Sequence, residues 1–340
     1  MKSILGLDIK QTQEIITNTL DIKNFPVYRI KQIFEWIYKK GVFDFNSMSN
    51  LPLDFRNKLT KEFIITTLEL NDEQVSKDKQ AHKYVFKTRD EIYVETVRII
   101  HPDRQTLCIS TMAGCPLNCT FCATAKMGYT RSLDAGEIIS QILILHKIEP
   151  CNNVVFMGMG EPLLNTENVF RTIELLSAKE FLNFSARRFT ISTAGVIKGI
   201  NGLIDFNKKV NLAVSLNSPF QKEREKIMPV AKNNPLNSLY IALKKYNEKC
   251  GRFTFEYIIL PGVNNSEKHA KAIISLKKDL NFNVNIIAYN DFPGAEYKKC
   301  TSKDINAFLS YFKNSNVEAV KRVSKGADIL AACGQLAGKK

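Results

Sequence analysis

The sequence contains no apolar run of the roughly 20 residues that a membrane-spanning helix needs. Its first residues, MKSILGLDIKQTQ, hold too short an apolar stretch for a secretory signal, and no low-complexity segment or long linker interrupts the chain. We therefore expect a soluble cytoplasmic protein. Its 340 residues, of which 44% are hydrophobic, suffice for one large domain and a smaller one around a substantial core.

Acidic residues are in the minority, with 34 Asp and Glu against 48 Lys and Arg and a formal net charge of +14. Such a surplus attracts polyanions, because neutralising phosphates releases condensed counterions. A proteome that simply favours lysine in solvated positions would give the same surplus. The charge therefore favours RNA binding without deciding it.

Histidine is scarce, whereas three of the eight cysteines lie together in GCPLNCTFC, residues 114–122. This clustering fits a reducing compartment with metal or redox chemistry better than a secreted disulfide framework. The spacing C-x3-C-x2-C allows one wrapped loop to present Cys115, Cys119 and Cys122 to three corners of a 4Fe–4S cluster, which leaves the fourth iron open for another ligand.

Zinc is the competing metal for this loop. A structural zinc site usually has four Cys or His ligands, and the nearest histidine, His101, is too far upstream to belong to the same loop. The spacing favours the iron–sulfur cluster over zinc, and zinc over a purely structural trio of cysteines.

The first part of the chain predicts helices and then a hairpin. Apolar residues recur at helical spacing twice within residues 25–62, which predicts two amphipathic helices in an N-terminal domain, residues 1–80. The basic residues of these helices would contact RNA phosphates or merely keep the domain soluble. Alternation over residues 81–100, with TRDE as a turn, predicts a β-hairpin that links or extends the domains within residues 81–105.

The rest of the chain repeats a strand–helix unit six times. The predicted strands are TLCIS, NVVFMG, RFTIST, VNLAVSL, FTFEYIIL and VNIIAY. The predicted helices cover about 134–148, 166–178, 197–206, 236–249, 266–279 and 303–315. This alternation predicts an α/β fold, a partial (β/α)6 TIM-like barrel over residues 106–323, followed by a tail, residues 324–340.

Polar and glycine-rich motifs follow each of the six strands. They are GCPLNCTFC, GMGEP, STAG, SLN, LPG and NDFPG, in chain order. The carboxyl ends of parallel barrel strands face one mouth, where active sites lie. The sequence therefore predicts one pocket built from all six motifs.

These motifs resemble those of a known family. C-x3-C-x2-C with Phe121 before the last cysteine is similar to the radical S-adenosylmethionine (SAM) enzymes, in which the open iron chelates the methionine moiety of the cofactor. Over about residues 25–338 the chain resembles the RlmN/Cfr family of RNA adenine methyltransferases. The resemblance is carried by YRIKQIFEWIYKKGV, CTFCATAKMGYTR, FMGMGEPLLN, TFEYIILPGVNNS and DILAACGQLAGKK. GEPL and NDFPG favour its C2-methylating RlmN branch over the C8-methylating resistance branch.

The resemblance implies an activity and its partners. The chain would methylate C2 of an adenosine in 23S rRNA at the peptidyl-transferase centre, and the adenosine next to the anticodon in tRNAs. It would use a 4Fe–4S cluster, two SAM molecules per turnover and an electron donor such as flavodoxin or ferredoxin, and act as a monomer. A radical route suits this reaction, because the electron-poor C2 carbon is too weak a nucleophile to displace a sulfonium methyl, whereas a thiolate does so readily.

The resemblance also implies three catalytic roles. Cys333 would accept the methyl group as S-methylcysteine, Cys108 would release the product by forming a transient disulfide with Cys333, and Glu95 would accept a proton. Spacing alone favours an inward-facing strand thiol for Cys108. The remaining cysteines, Cys151, Cys250 and Cys300, match no motif, and we expect them to be packing residues.

SAM contacts are expected at the same mouth, where each residue alone could be a cap or turn residue. The expected contacts are Gly160, Glu161, Ser192, Ser215, Leu216, Asn217 and Asn290. The sequence departs from the family at Asn217, where histidine is usual, and at Leu330, where aspartate is common.

Three kinds of function remain open on the sequence alone. The first is an RNA-modifying radical methyltransferase, of the C2 or the C8 type. The second is a radical SAM enzyme acting on another substrate, and the pair Cys108 and Cys333 favours the first over it. The third is a non-catalytic basic RNA-binding protein with a structural zinc ion.

Overall fold

The computed structural model of the protein describes residues 1–22 and 25–338. Lys23 and Asn24 of the predicted N-terminal domain, and Lys339 and Lys340 at the end of the predicted tail, lie outside the described residues. No helix in the described ranges is long and apolar enough to cross a membrane.

The N-terminal region is a small helical unit that packs on the rest of the chain. Its elements are β1 (Lys2–Ser3), α1 (Ile9–Leu20), α2 (Val27–Phe34), α3 (Leu53–Glu62) and β2 (Phe63–Ile64). A π-helical turn, Glu35–Lys39, continues α2. Phe34 and Tyr38 contact Phe181, with ring centroids 5.1 and 4.6 Å apart, and so join this unit to the barrel.

The helices predicted within residues 25–62 correspond to α2 and α3, whereas α1 was not predicted. Helix α1 begins with a capping box in which Asp8 and Gln11 exchange side-chain-to-backbone hydrogen bonds. Only Thr12 and Ile16 are buried in it.

A ten-stranded mixed sheet forms the body of the protein. Its first strands are β3 (Leu68–Val75), β4 (Ala81–Thr88), β5 (Tyr93–His101) and β6 (Arg104–Cys108). The predicted hairpin is β4 and β5, and β5 continues antiparallel onto β6, where Val97 pairs with Cys108. The hairpin is therefore part of the barrel sheet, and β3 extends its edge.

From β6 onward the strands of the ten-stranded sheet are parallel and alternate with helices, and a separate two-stranded antiparallel ribbon follows β6. The elements are β7 (Met112–Gly114), α4 (Ala123–Lys126), β8 (Tyr129–Ser132), α5 (Ala135–Ile148), β9 (Asn153–Phe156), α6 (Thr166–Ser177), β10 (Phe189–Thr193), α7 (Ile197–Asp205), β11 (Asn211–Ser215), α8 (Gln221–Ile227), α9 (Leu236–Cys250), β12 (Phe253–Ile259), α10 (Glu267–Ser275), β13 (Phe282–Ala288), α11 (Ser302–Ser310) and β14 (Ala319–Arg322).

The predicted α/β fold is confirmed, with one more parallel strand than expected. The spatial order is β14-β13-β12-β11-β10-β9-β6-β5-β4-β3, so the six predicted strands lie side by side and β14 adds a seventh beyond β13. Among the described residues the sheet does not close into a barrel, because β14 and β3 are its two edges. All the strand ends from β6 to β14 open on the same side.

Candidate active site

A cavity of about 860 Å³ lies inside the partial barrel. It is lined by residues from the strands, the cysteine loop and the tail. The predicted site residues in its wall are Cys108, Cys115, Cys119, Cys122, Gly160, Glu161, Ser192, Ser215 and Cys333. Cysteines from two distant parts of the sequence, residues 108–122 and the C-terminal tail, therefore face one space.

The cysteine loop is held open by a small β-ribbon. Strands β7 and β8 pair on either side of the loop, and the main-chain N–H of Cys115 donates to Gly128 O at 2.8 Å. Gly114 adopts a φ of +78°, and a Cβ there would lie 2.0 Å from Gly128 O. Only glycine permits this close approach, which turns the chain into the loop.

The three loop thiols are partly buried in the cavity wall, and this determines what they can bind. Burial raises the pKa of Cys115 to about 12 and raises the pKa values of Cys119 and Cys122. Three partly buried thiolates so close together therefore need a cationic metal centre to offset their charge. An iron–sulfur cluster fits this donor set.

A single metal ion fits the described residues less well. No group of three His, Cys, Asp or Glu side chains among them is arranged to hold a metal ion. A tetrahedral zinc site needs its ligands to converge on one ion, whereas a 4Fe–4S cluster takes each thiolate on a different iron.

Apolar residues form the wall behind the loop. They include Leu117, Phe121, Met228, Leu260 and Tyr289, which pack beside the three cysteines. Such a wall limits the access of water to a bound group.

Glu161 places a buried carboxylate at the end of β9. Its Oε1 accepts from Leu163 N at 3.0 Å and its Oε2 accepts from Ala194 N at 2.7 Å. Burial raises the pKa of Glu161 to about 7, and these main-chain donors partly oppose the rise. The preceding Gly160, with φ +97°, passes so close to Met112 that a Cβ would lie 2.5 Å from its side chain.

The other expected SAM contacts divide into two groups. Ser192 on β10 and Ser215 on β11 line the cavity, but Leu216, Asn217 and Asn290 do not. Asn217 is fully buried in a left-handed conformation, and its Oδ1 accepts from Ile258 N at 2.9 Å. Asn290 Nδ2 donates to Ser324 Oγ at 3.2 Å. The structure thus gives these two amides structural partners and does not bring them to the cavity wall.

The C-terminal tail lies across the mouth of the barrel. The main-chain N–H of Ala123 donates to Gly334 O at 2.7 Å, and Thr124 Oγ1 donates to Leu336 O at 2.7 Å. Gln335 Nε2 donates to Asp291 O at 2.6 Å. The first two bonds fix the tail to the helix that follows the cysteine loop, the third fixes it to the segment after β13, and together they bring Cys333 to the cavity.

Cys108 enters the same cavity from β6, and both cysteines are free thiols. The disulfide expected from the resemblance is not formed in this structure. Burial raises the pKa of Cys108 to about 12, and the neighbouring Cys333 contributes to the rise. Cys108 is therefore both an inward-facing strand thiol and a neighbour of the tail cysteine.

Glu95 lies just outside the cavity wall, on β5. Its side chain is buried and forms an ion pair with Lys83 at 3.3 Å. Its Oε2 also accepts from the tail N–H of Ala337 at 2.8 Å. In this structure Glu95 therefore anchors the tail.

The cysteines expected to be packing residues lie elsewhere. Cys151 is buried beside His146, Cys250 is exposed, Cys300 is partly buried, and none of them lines the cavity. Leu330 ends a short turn in a left-handed conformation, with φ +52° and 37% exposure. Aspartate adopts that conformation more readily than leucine, which explains the preference at this tail position.

An ion pair between two charged residues of the cavity was not predicted. Glu256 on β12 and Arg322 on β14 form this pair at 3.3 Å inside the barrel. Glu256 lies within the stretch TFEYIILPGVNNS, but no role was assigned to either residue, because each lies within a strand. The signal that could have identified them is a charged residue at an inward position of a barrel strand.

Comparisons with known proteins indicate the same family along the whole chain. The sequence model of the radical SAM superfamily matches residues 109–273, and that of the ribosomal RNA large subunit methyltransferase N-terminal domain matches residues 3–65. The chain is 42% identical to the probable dual-specificity RNA methyltransferase RlmN of Petrotoga mobilis, over 98% of this chain and 96% of that protein. It is 38% identical to the protein of the same name from Thermosipho melanesiensis, over 100% of this chain and 99% of that protein.

Among solved structures, the chain is similar to a radical SAM methyltransferase from Sphaerobacter thermophilus. The identity is 35%, the TM-score is 0.95, and the match covers all of both chains. The fold described above is therefore shared with that enzyme from end to end.

Proposed function

The chain belongs to the RlmN family of radical SAM methyltransferases, and from that membership we propose that it methylates C2 of adenosine in RNA. The relatives named dual-specificity RNA methyltransferases support two RNA substrates. We assign these as 23S rRNA, at the peptidyl-transferase centre, and tRNA, next to the anticodon.

One observation carries this proposal. Cys108 and Cys333 face the same cavity as the C-x3-C-x2-C loop. A radical enzyme that only cleaves SAM needs the loop alone. Two further thiols in the same space support a methyl group that travels through a cysteine and a second cysteine that releases it.

Membership of the radical SAM superfamily implies a 4Fe–4S cluster and SAM. Cys115, Cys119 and Cys122 would hold the cluster, and Glu161 would accept a hydrogen bond from the SAM ammonium beside Gly160, Ser192 and Ser215. When bound, this pair supplies a 5′-deoxyadenosyl radical, formed by one-electron cleavage of SAM, that abstracts a hydrogen atom.

In the proposed sequence Cys333 acts first. Its thiolate displaces the methyl group of one SAM, so that a C–S bond forms as the sulfonium bond breaks. Loss of a hydrogen atom from this S-methyl group, at the expense of a second SAM, leaves a carbon radical that adds to C2 of adenine. Two SAM molecules are therefore used per turnover.

Cys108 acts second. The adduct gives up its C2 proton, for which Glu95 is the proposed acceptor once the tail N–H of Ala337 leaves its carboxylate. It also returns one electron, which replaces the electron consumed in cleaving the second SAM. The Cys108 thiolate then attacks the Cys333 sulfur. A disulfide forms as the C–S bond to the product breaks, and the carbon takes up a proton to become the methyl group.

An electron donor such as flavodoxin or ferredoxin, a cytoplasmic location and a monomeric state remain predictions. The net charge of +14 supports binding to RNA. The basic N-terminal helices are the part of the chain proposed to take up RNA beside the barrel.

The reaction is tested by the nucleoside that it produces. Anaerobically reconstituted protein is incubated with SAM, a reductant and RNA from a strain that lacks the enzyme, and digested RNA is compared by mass spectrometry with standards of 2- and 8-methyladenosine. We expect 2-methyladenosine in both 23S rRNA and tRNA. Formation of 8-methyladenosine alone would reject the C2 assignment, and the absence of both would reject RNA methylation.

A further inference from the structure

The inference concerns Arg322, the last residue of the edge strand β14. Its side chain points into the barrel cavity, where Nη1 lies 3.3 Å from Glu256 Oε2 and 3.4 Å from Met157 Sδ. Arg322 comes from one edge of the partial barrel, whereas Met157 follows β9. The guanidinium therefore reaches across the interior toward the first strands of the barrel.

Both reactive thiols of the proposed function lie in this part of the cavity. Cys108 is next to β9, since it pairs with Val155 in the sheet, and the main-chain N–H of Met157 hydrogen-bonds to it. Met157 is thus a shared neighbour of Cys108 and Arg322. Cys333 faces the same cavity from the tail.

The electrostatics agree with this geometry. The pKa of Arg322 is raised, with the charge of Cys333 as the largest cause and with further contributions from Glu256 and Cys108. In return, Arg322 opposes the burial that raises the pKa of Cys108. Arg322 is therefore a cation placed to act on the Cys108 thiol.

Glu256 limits the effect of this cation. Its side chain is 7% exposed, and its Oε1 accepts from Asn285 Nδ2 at 2.9 Å while Oε2 pairs with Arg322. A fixed carboxylate both orients the guanidinium and neutralises part of its charge. A purely structural role would be to tie β14 to β12 across β13.

We propose that Arg322 stabilises the thiolate of Cys108, and that Glu256 positions Arg322 and limits its effect. Ionisation releases the thiol proton to cavity water, and the thiolate left beside the guanidinium is the nucleophile. Its electron pair forms the bond to the Cys333 sulfur. The role in turnover rests on the proposed function, whereas the effect on the Cys108 thiol does not.

The test measures the alkylation of each thiol by iodoacetamide, an uncharged reagent whose approach does not depend on nearby charges. The cluster-reconstituted protein is treated anaerobically between pH 7 and 9.5, and the labelled Cys108 and Cys333 peptides are quantified by mass spectrometry. The variants are Arg322→Met, Arg322→Lys and Glu256→Gln. Arg104→Met, at an exposed residue of the same cavity wall, is the matched control.

The two halves of the ion pair should act in opposite directions. Arg322→Met should slow alkylation of Cys108 by about tenfold, the effect of a change of one pKa unit in thiolate fraction. Arg322→Lys should restore most of the rate, because it keeps the charge. Glu256→Gln should speed alkylation, since it leaves the guanidinium unneutralised.

Easier access for the reagent cannot mimic this result. Methionine is smaller than arginine, so Arg322→Met would open the cavity and would speed alkylation if access were limiting. Unchanged rates in Arg322→Met, or rates that move in the same direction in Arg322→Met and Glu256→Gln, would overturn the proposal. The proposal would also be overturned if Arg104→Met slowed alkylation as much as Arg322→Met does.

The outcome is separable from that of the proposed function. If the wild-type protein forms 2-methyladenosine but Arg322→Met and Glu256→Gln leave the alkylation rates unchanged, the inference fails and the function stands. If no methylated RNA forms but the rates shift as expected, the inference stands and the function fails.

Discussion

At the residue scale, the proposed SAM contact Glu161 would make SAM binding depend on pH. Its carboxylate is buried at the end of β9, and burial raises its pKa to about 7. Only the ionised form can pair with the SAM ammonium. As the pH falls through 7 the group takes up a proton, and this part of the binding free energy is lost.

We therefore predict that SAM binds the cluster-reconstituted protein more weakly at pH 6 than at pH 8, as measured by equilibrium dialysis. Glu161→Gln should bind about tenfold more weakly at pH 8, the size expected for loss of one charge-assisted hydrogen bond. It should also lose most of the pH dependence below pH 8. Glu167→Gln, at an exposed residue of α6, is the control. Equal affinity in wild type and Glu161→Gln would place the ammonium elsewhere.

Some of the residues that meet in the cavity could be predicted from the sequence, and others could not. The spacing of Cys115, Cys119 and Cys122 predicts a shared loop, because residues this close in sequence must be close in space. The proximity of Cys108 and Cys333 came only from the family resemblance. The pair of Glu256 and Arg322 was missed, since the register of distant strands decides which charges meet.

At the element scale, strand–helix alternation was the reliable signal. The parallel strands β6 and β9 to β13 are mostly buried, and the motifs after them converge because parallel strands end on one side. Two of the elements that were missed have a physical reason. Strand β3 is an edge strand with a mostly exposed, acidic sequence, and β14 has four residues.

The helical N-terminal unit carries an element-scale prediction. Lys31 on α2, and Lys39 and Lys40 at the end of the π-helical turn and just after it, are exposed. Replacing all three by glutamine should weaken RNA binding and lower its salt dependence, by about 0.7 to 0.9 in the slope for each lost phosphate contact. Filter binding over a range of salt concentrations measures both quantities.

The control removes the same charge from the opposite face. Lys208, Lys209 and Lys278 are exposed and precede strands, so that they lie at the far end of the barrel from the cavity mouth. Their replacement by glutamine should change RNA binding less, and neither triple variant should lose iron or SAM binding. Equal losses in both variants would mean that overall charge, and not the helical unit, attracts the RNA.

At the scale of the whole molecule, the fold serves to bring distant cysteines together. The cluster loop follows the first barrel strand, Cys108 lies in that strand, and Cys333 arrives through a tail bound to the helix after the loop. The tail is also held by Glu95 of the hairpin. Strands β5, β6 and β9 to β14, the cysteine loop and the tail therefore all contribute residues to one cavity.

The central claim is that the methyl group passes through Cys333 and that Cys108 releases the product. A Cys108→Ala variant can still complete radical addition to RNA, but the thioether bond to the product carbon has no second thiolate to break it. This variant should therefore accumulate RNA covalently joined to Cys333. Cys250→Ala, at an exposed cysteine away from the cavity, is the matched control.

The decisive measurement is a denaturing gel of each variant purified from cells, with mass spectrometry of the RNA-bearing peptide. We expect a nuclease-sensitive RNA adduct on Cys108→Ala, attached at Cys333 through one carbon, and none on Cys250→Ala, on Cys333→Ala or on the double variant Cys108→Ala/Cys333→Ala. An absence of adduct on Cys108→Ala, or an adduct that persists when Cys333 is also removed, would contradict the account.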